Sequence, residues 1–479
     1  MKANLSNIVI IVVLSICISF TYGSSVVLYD SDGVVKVNGK RIFVYGGYRD
    51  PSDDWRKFDG VREAGFNLTH DYYFETKLKK GYSENDVNEL IKEAREYLDL
   101  AEKAGVGVFY GIPRQSLWGK DTETISRIVD ALKDKSALWF WYLCDEPTNQ
   151  VKDNARKNHN GRSLEDVKKS YDVIKKVDPN HPVVIVDGGH RLKDSVEAGL
   201  YCDTLWVDRY LIPYSTLGIG RNIELVRSLY PDKPIWGVPE TGDRFSWLRE
   251  ARTKKKNQNL YPSTRTLTIN DQTAFIKPKA IRSQAHACIS AGADGVVYWW
   301  GPKHLHDFRK DTPELWKAQV NLGKELRGLS EILLSKEPVP DINIVYDKWG
   351  MYLRMDHLYD KELEKDQYPQ PIPVMVWKRM YQGSLYMGFV CDYVPIQKIT
   401  LNLPFEYKRA VQLQLLEQKT IISRNAKGGP QINTKDSEVA IWDVQKNMKS
   451  FSFIMQDCDT IVWRFDPVIT ETKKNKNVD

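Results

Sequence analysis

The feature that most constrains this chain is an alternation repeated eight times. From about residue 41 to 330, short apolar or aromatic runs are each followed by a charged stretch of helical period. The runs are Arg41 to Tyr48, Asn67 to Tyr73, Gly105 to Ile112, Leu138 to Cys144, Val183 to Asp187, Asp203 to Tyr210, Pro234 to Pro239 and Gly295 to Trp300. Helical patterns such as Glu84 to Lys103, Thr122 to Lys133, Leu164 to Lys176 and Lys279 to Ala291 lie between them. A glycine follows two of these, at Ala104-Gly105 and Ala291-Gly292, where a C-terminal cap is expected. Strands that alternate with helices pair in parallel, because the helix returns the chain to the start of the next strand. Eight such units in fewer than 300 residues match the count and length of an α/β (β/α)8 TIM barrel. A doubly wound open sheet is the rival, and eight units weigh against it.

The flanks read differently. Residues 1–23 have the form of a signal peptide: Lys2, an apolar run from Ile8 to Phe20, and small residues Thr21 and Gly23 before Ser24. The run is short for a bilayer span, and the sequence beyond it has no apolar segment of spanning length. Export to the periplasm, cell surface or medium is therefore expected. Pro338 and Pro340 mark a linker, after which the helical period stops. Ile342 to Tyr346, Pro373 to Val376, Ser384 to Val390, Ile399 to Leu403, Val411 to Leu416 and Thr460 to Phe465 read as strands of a small antiparallel β-sandwich. The expected organisation is a leader over 1–23, a barrel over 24–335, a β-sandwich over 341–468 and a polar tail over 469–479.

The net charge of +6 over 479 residues is too slight for a dedicated nucleic-acid binder, which carries a dense basic stripe. The aromatic count says more. Fourteen Trp and 25 Tyr serve core packing first, but flat rings also bind the apolar faces of sugars. Without the leader five cysteines remain: Cys144, Cys202, Cys288, Cys391 and Cys458. Their number is odd and their spacing fits no zinc pattern and no disulfide framework, so buried thiols are expected. The longest insertion, about Thr241 to Pro278, holds Arg244, Arg249, Arg252, Lys254, Lys255, Lys256 and Arg265. It reads as a solvated loop, or as a lid that attracts an anionic polysaccharide.

In a TIM barrel the chemistry sits where strands end and loops begin. The fourth run ends Trp141-Tyr142-Leu143-Cys144-Asp145-Glu146-Pro147, and the seventh ends Trp236-Gly237-Val238-Pro239-Glu240. Each places one glutamate where an aromatic strand opens. Apolar surroundings raise a carboxyl pKa, which suits a general acid. Two carboxyl groups across a barrel mouth can cleave a glycosidic bond, one protonating the leaving oxygen while the other attacks the anomeric carbon. A gap of about 5–5.5 Å between them means a covalent intermediate and retention. Helix capping is the plain alternative for Glu240, and a structural ion pair for Glu146.

A glutamate after strand four and another after strand seven resembles the 4/7 superfamily, clan A of the glycoside hydrolases. The opening Val35-Lys36-Val37-Asn38-Gly39-Lys40 and the closing Gly292-Ala293-Asp294-Gly295-Val296-Val297-Tyr298-Trp299-Trp300 fit the same pattern, over about residues 38 to 330. The resemblance implies Glu146 as acid/base and Glu240 as nucleophile of a retaining glycosidase. Most members carry Asn before the acid/base, where it holds the sugar 2-hydroxyl; this chain has Asp145, which when ionised accepts a hydrogen bond and donates none. Tyr210 resembles the residue of the clan that hydrogen-bonds the nucleophile, and Trp299 or Trp300 is placed to stack under the sugar.

Arg49, His70, Asp71, Arg114 and His190 are further polar groups at strand ends, each read as sugar-binding or structural. His304, His306 and Asp307 form a His-x-His-Asp sequence, but it follows the eighth strand and lacks companion ligands, so neither metal nor cofactor is expected. Asn67-Leu68-Thr69 matches a glycosylation sequon inside a strand. No phosphate loop or serine nucleophile elbow stands out. The expected partner is a carbohydrate substrate, not nucleic acid or a membrane. A non-catalytic carbohydrate-binding protein on the same scaffold and a transglycosylase are the other readings.

Overall fold

The computed structural model describes residues 25–52, 54–113, 119–147, 164–188, 198–210, 215–241, 278–299, 308–311, 313–346, 374–391, 397–413, 431–432, 440–442, 448–455 and 459–468. Its centre is a closed barrel of eight parallel strands: Val44–Gly47, Leu68–Thr69, Gly107–Gly111, Leu138–Asp145, Val183–Val186, Thr204–Asp208, Ile235–Val238 and Gly295–Tyr298. They neighbour one another in chain order, and the eighth closes on the first through Gly295 opposite Val44. This is the (β/α)8 architecture that the alternation predicts.

The helices follow from local chemistry. Glu84–Ala104 begins with a capping box between Ser83 and Asp86 and ends at Gly105, whose φ of 70° only glycine adopts without strain. Val87, Leu90, Ala94, Tyr97, Leu98 and Ala101 recur at three- and four-residue steps and bury one stripe against the barrel. Gly292 at φ 83° caps Pro278–Ser290 in the same region of backbone space. Inside the barrel, alternate residues point to the axis and large rings fill it. Trp206 and Trp236 stack with centroids 4.8 Å apart, and Phe140 meets Trp236 edge-on at 5.2 Å.

One end of the barrel is closed by the chain's own start. Val27–Tyr29, Val35–Val37 and Lys40–Ile42 form a three-stranded antiparallel sheet. Val27, Val35 and Val37 are buried in the same apolar cluster as the barrel interior. Ser25 Oγ donates to the carbonyl of Leu138, the first residue of the fourth strand, at 2.6 Å. The plug therefore sits at the N-terminal ends of the strands, opposite the end where the strands give way to the loops that follow them.

Asp294, just before the eighth strand, lies beneath this plug. Burial pushes its carboxyl up from 3.8 to about 6, against the pull of Arg227 at 3.3 Å. The sign follows directly. A carboxyl with a raised folded pKa contributes stability that is whole below pH 3.8 and lost as pH rises through about 6. Asp294→Asn keeps the neutral form at every pH. Its stability should overtake the native chain's above pH 6 by up to about 3 kcal/mol. Denaturant midpoints measured from pH 4 to 7 check this; a difference that stays constant across that range refutes it.

Beyond the helix Pro313–Leu333 the chain forms an antiparallel β-structure. Its organiser is the long strand Gln397–Leu413. The first part pairs with Asn343–Tyr346 and Met448–Met455, and after a register shift between Asn402 and Tyr407 the rest pairs with Thr460–Pro467 and Ala440–Trp442. A strand that changes partners at such a bend makes the corner between two layers. Leu385, Met387, Phe389, Ile399, Leu401 and Phe465 are buried between them. Met375, Trp377, Tyr386, Val390 and Val462 of this β-unit instead join the apolar cluster of the barrel helices. Cys144, Cys202, Cys288 and Cys391 are buried thiols, and burial pushes that of Cys202 up to about 12. Cys458 and the sequence calls on the leader and tail lie outside the described residues. Among the described residues no helix is long and apolar enough to cross a membrane.

Candidate active site

The C-terminal ends of the fourth to seventh strands carry a row of carboxyl groups. Asp145 and Glu146 close the fourth, Asp187 follows the fifth, Asp208 closes the sixth and Glu240 follows the seventh. Strand pairing puts them on one rim, with Asp145 opposite Val186, Val186 opposite Trp206 and Asp208 opposite Val238. Glu146 and Glu240 thus belong to the same mouth.

Glu146 is placed by two departures from regular strand geometry. Between Tyr142 and Cys144 the pairing with the fifth strand shifts, a bulge that re-aims the residues after it. Glu146 then takes a φ of 43°, left-handed backbone that a residue with a Cβ enters at a cost of about 1–3 kcal/mol. Its N–H donates to the Val186 carbonyl at 2.7 Å, which fixes the turn. Pro147 follows directly. A glycine would hold this conformation with less strain. Glu146 is half-buried.

Glu240 is positioned through its backbone. It bridges to Trp299, just after the eighth strand, and its carbonyl accepts from Gln284 Nε2 at 3.0 Å. Thr241 N donates to the Trp299 carbonyl at 2.9 Å. Gln284 reaches Glu240 because helix Pro278–Ser290 packs tightly on the strand. A Cβ on Gly237 would lie 2.4 Å from Cys288 Sγ. Glu240 is 1% exposed.

Rings surround these acids. Tyr210 and Trp299 stack with centroids 4.9 Å apart and planes within 17°. Tyr142 OH donates to Asp145 Oδ1 at 2.9 Å, and Tyr142 also shares a hydrogen bond with Tyr48. Burial pushes the phenols of Tyr48 and Tyr210 well above their ordinary range, so both stay neutral donors. Burial does the same to the Asp208 carboxyl, reinforced by the charges of Glu146, Asp145 and Asp187 and by a hydrogen bond with Glu146.

His70 sits below this layer. Its Nδ1 faces the Phe109 carbonyl at 2.9 Å, so that nitrogen carries a proton. Nε2 lies 2.7 Å from Glu75 Oε1, and both side chains are almost fully buried. The imidazole stacks on Phe109 and meets Tyr142, Tyr48 and Tyr72 edge-on. It braces the floor that orients Tyr142 and, through it, Asp145. Glu75 occupies space left open by Gly111, where a Cβ would come within 2.3 Å of its Cγ. Arg49 and Asp71 are buried at the ends of the first and second strands, and Asp71 caps helix Tyr72–Lys77 through the Tyr73 N–H.

Arg114, His190, Trp300, His304, His306 and Asp307 lie outside the described residues, as does most of the basic insertion. Among the described residues no group of three His, Cys, Asp or Glu is arranged to hold a metal ion. Three carboxyl groups of the rim or its support were not singled out by sequence. Asp187 and Asp208 also stand at the ends of apolar runs, but no glutamate follows them there, and a glutamate is the feature that singles out Glu146 and Glu240. Glu75 lies in a helix and depends on Gly111 across the fold, which no local pattern announces.

No family model matches the chain, and no curated protein matches it. Solved structures do align with it. An α-amylase from Geobacillus thermoleovorans complexed with acarbose aligns at 13% identity and a TM-score of 0.47, over 88% of this chain and 92% of that one. A GH30 endoxylanase from Clostridium papyrosolvens aligns at 11% identity and a TM-score of 0.41, over 89% and 97%. A β-galactosidase from Halorubrum lacusprofundi aligns at 13% identity and a TM-score of 0.42. This chain aligns with 60% of its own length there and spans 58% of that enzyme.

Proposed function

We propose that the protein is a retaining glycoside hydrolase in which Glu146 is the acid/base and Glu240 the nucleophile. The observation that carries this reading is the placement of Glu146. A bulge and a strained left-handed backbone set Glu146 at the same rim that holds Glu240. Strain of this kind is retained where a side chain must be presented in one direction. The stacked Tyr210 and Trp299 beside the rim supply a flat apolar wall of the kind that sugar rings pack against.

In the first step the Glu146 O–H gives its proton to the glycosidic oxygen. The bond to that oxygen breaks and its electron pair leaves with the aglycone. A Glu240 oxygen forms a bond to the anomeric carbon at the same time. Water then enters on the vacated side and gives its proton to Glu146. Its oxygen bonds to the anomeric carbon, and the Glu240 ester bond breaks with its electrons returning to the carboxylate. Asp145, held by Tyr142, is the candidate contact to a sugar hydroxyl next to the cleaved bond. The leader-like N-terminus directs the enzyme out of the cytoplasm. The cationic residues between 241 and 278 are the reason to include acidic glycans among the candidate substrates.

The test is a panel of neutral and acidic glycans followed by trapping. A fluorinated glycoside with a good leaving group, matched to the sugar that is turned over, should inactivate the enzyme and add one glycosyl mass to the peptide holding Glu240. An adduct elsewhere moves the nucleophile. Tight glycan binding with no turnover and no adduct favours a carbohydrate-binding protein instead.

A further inference from the structure

Helix Pro278–Ser290 stands between the C-terminal β-unit and the last two barrel strands, and its residues divide by the helical period. Arg282, Ser283 and His286 turn toward the β-unit and helix Pro313–Leu333. Ser283 Oγ shares a hydrogen bond with Thr460 Oγ1 at 3.1 Å, and His286 Nδ1 accepts from the Trp377 indole at 3.0 Å. Arg282 holds Glu325 through two bonds of 2.6 Å. Gln284 and Cys288, four residues apart, meet the barrel instead. Cys288 packs on Gly237 of the seventh strand, and Tyr298 OH of the eighth donates to the Ile281 carbonyl. The helix is thus braced from both sides.

Gln284 carries that bracing to the rim. It is 2% exposed, and its Nε2 donates to the Glu240 carbonyl at 3.0 Å. A carbonyl oxygen only accepts, so the amide nitrogen is the end that must face it. Thr241 N donates to the Trp299 carbonyl and Trp299 N to the Pro239 carbonyl, each at 2.9 Å. Both chain neighbours of Glu240 are therefore tied to the continuation of the eighth strand, and Gln284 takes the residue between them.

We propose that Gln284 is a positioning residue for the nucleophile: it fixes the main chain from which the Glu240 carboxylate reaches the anomeric carbon, and the C-terminal β-unit fixes Gln284 by bracing its helix. Its use in catalysis rests on the glycosidase reading; the hold on the Glu240 main chain does not. Gln284 acts through Glu240 and makes no bond to the sugar in this scheme. A reacting group moved by about 1 Å from its line of attack loses on the order of 100-fold in rate, so a bond to the backbone has leverage on the chemistry.

Gln284→Leu keeps nearly the same volume and removes the donor. In this variant kcat per folded molecule should fall by about 10- to 100-fold, with KM changed less than about twofold. Amide exchange at Thr241 and Trp299 should quicken by about tenfold, the order expected when one hydrogen bond is lost, and this reading needs no substrate. Gln284→Glu repeats the test by pH in a side chain of the same shape. A protonated carboxyl still donates to the Glu240 carbonyl, whereas an ionised one only accepts. Its rate relative to the unmodified protein, and slow exchange at Thr241 and Trp299, should therefore return as pH is lowered. A merely structural role lowers stability but leaves kcat per folded molecule in place and gives no such pH trend. Exchange at Thr241 and Trp299 equal to that of the unmodified protein in both variants overturns the inference. So does faster exchange with an unchanged kcat on a confirmed glycan. Faster exchange in a protein that turns over no glycan supports the hold on Glu240 and tells against the glycosidase reading alone.

Discussion

Replacing Glu240 by Gln should reduce turnover of a confirmed glycan by about 10⁴-fold or more while the fold persists. The size follows from the role. Gln keeps the volume and one oxygen but carries no charge, and an amide oxygen does not form the glycosyl ester. The persistence follows from how the residue is held. The bridge to Trp299 and the bond from Gln284 both use the backbone of Glu240, so exchanging its side chain leaves them in place. Thermal unfolding of the two proteins should therefore be similar, and glycan binding should survive. A smaller substitution gives a sharper reading. In Glu240→Ala, added azide can enter the space left by the carboxylate and attack the anomeric carbon, giving a glycosyl azide of inverted configuration. Activity of Glu240→Gln within tenfold of the native protein removes Glu240 from the chemistry.

The barrel was legible because its signal is repeated and local. A strand buried on both faces reads as a continuous apolar run, as in Val183–Val186, and the intervening helices carry their own caps, as at Ser83 and Gly105. The strand-end positions of Glu146 and Glu240 were legible for the same reason, since both stand where such runs stop. What sequence hid was everything set by distant neighbours. The plug formed by Val27, Val35 and Val37 consists of strands of three residues, too short for any period to show. The bulge before Glu146 and its left-handed turn have no signature, since Asp-Glu-Pro is compatible with an ordinary strand end. Asp208 reads in sequence as the lead-in to Tyr210, and its place on the same rim as Glu146 follows only from the fourth, fifth and sixth strands being consecutive in the barrel. In the C-terminal unit the antiparallel strands were visible as apolar runs with no helical period between them. Its organisation around one long bent strand was not, because Ile399 to Leu403 and Val411 to Leu416 read as separate strands, where the structure has one strand Gln397–Leu413.

Glu325→Ala should destabilise the protein by about 3–5 kcal/mol, the loss typical of breaking one side of a buried ion pair. Glu325 on helix Pro313–Leu333 receives both ends of the Arg282 guanidinium at 2.6 Å. It also faces His286 Nε2 at 3.1 Å. The indole of Trp377 donates to His286 Nδ1 at 3.0 Å, and because indole nitrogen only donates, the imidazole proton sits on Nε2 and points at Glu325. Arg282 further donates to the Thr460 carbonyl. Two barrel helices and two strands of the C-terminal unit thus converge on one carboxylate. Burial pushes that carboxyl up, but the Arg282 charge and the hydrogen bonds from Arg282 and the neutral His286 overcome it and hold it well below its ordinary range. Without Glu325, the Arg282 charge and the His286 N–H lose their acceptor beneath Trp377. The pH dependence has a definite sign. A carboxyl with a depressed folded pKa contributes stability present above 4.5 and lost as pH falls, so the gap between the two proteins should narrow toward pH 3. Denaturant unfolding at pH 7 and pH 3 measures both effects. The paired change Arg282→Met with Glu325→Leu, which leaves no charge behind, should recover most of the loss. If Glu325→Ala alone falls within 1 kcal/mol of the native protein, on the order of an exposed pair, the junction is held by apolar packing around Met375 and Trp377 instead.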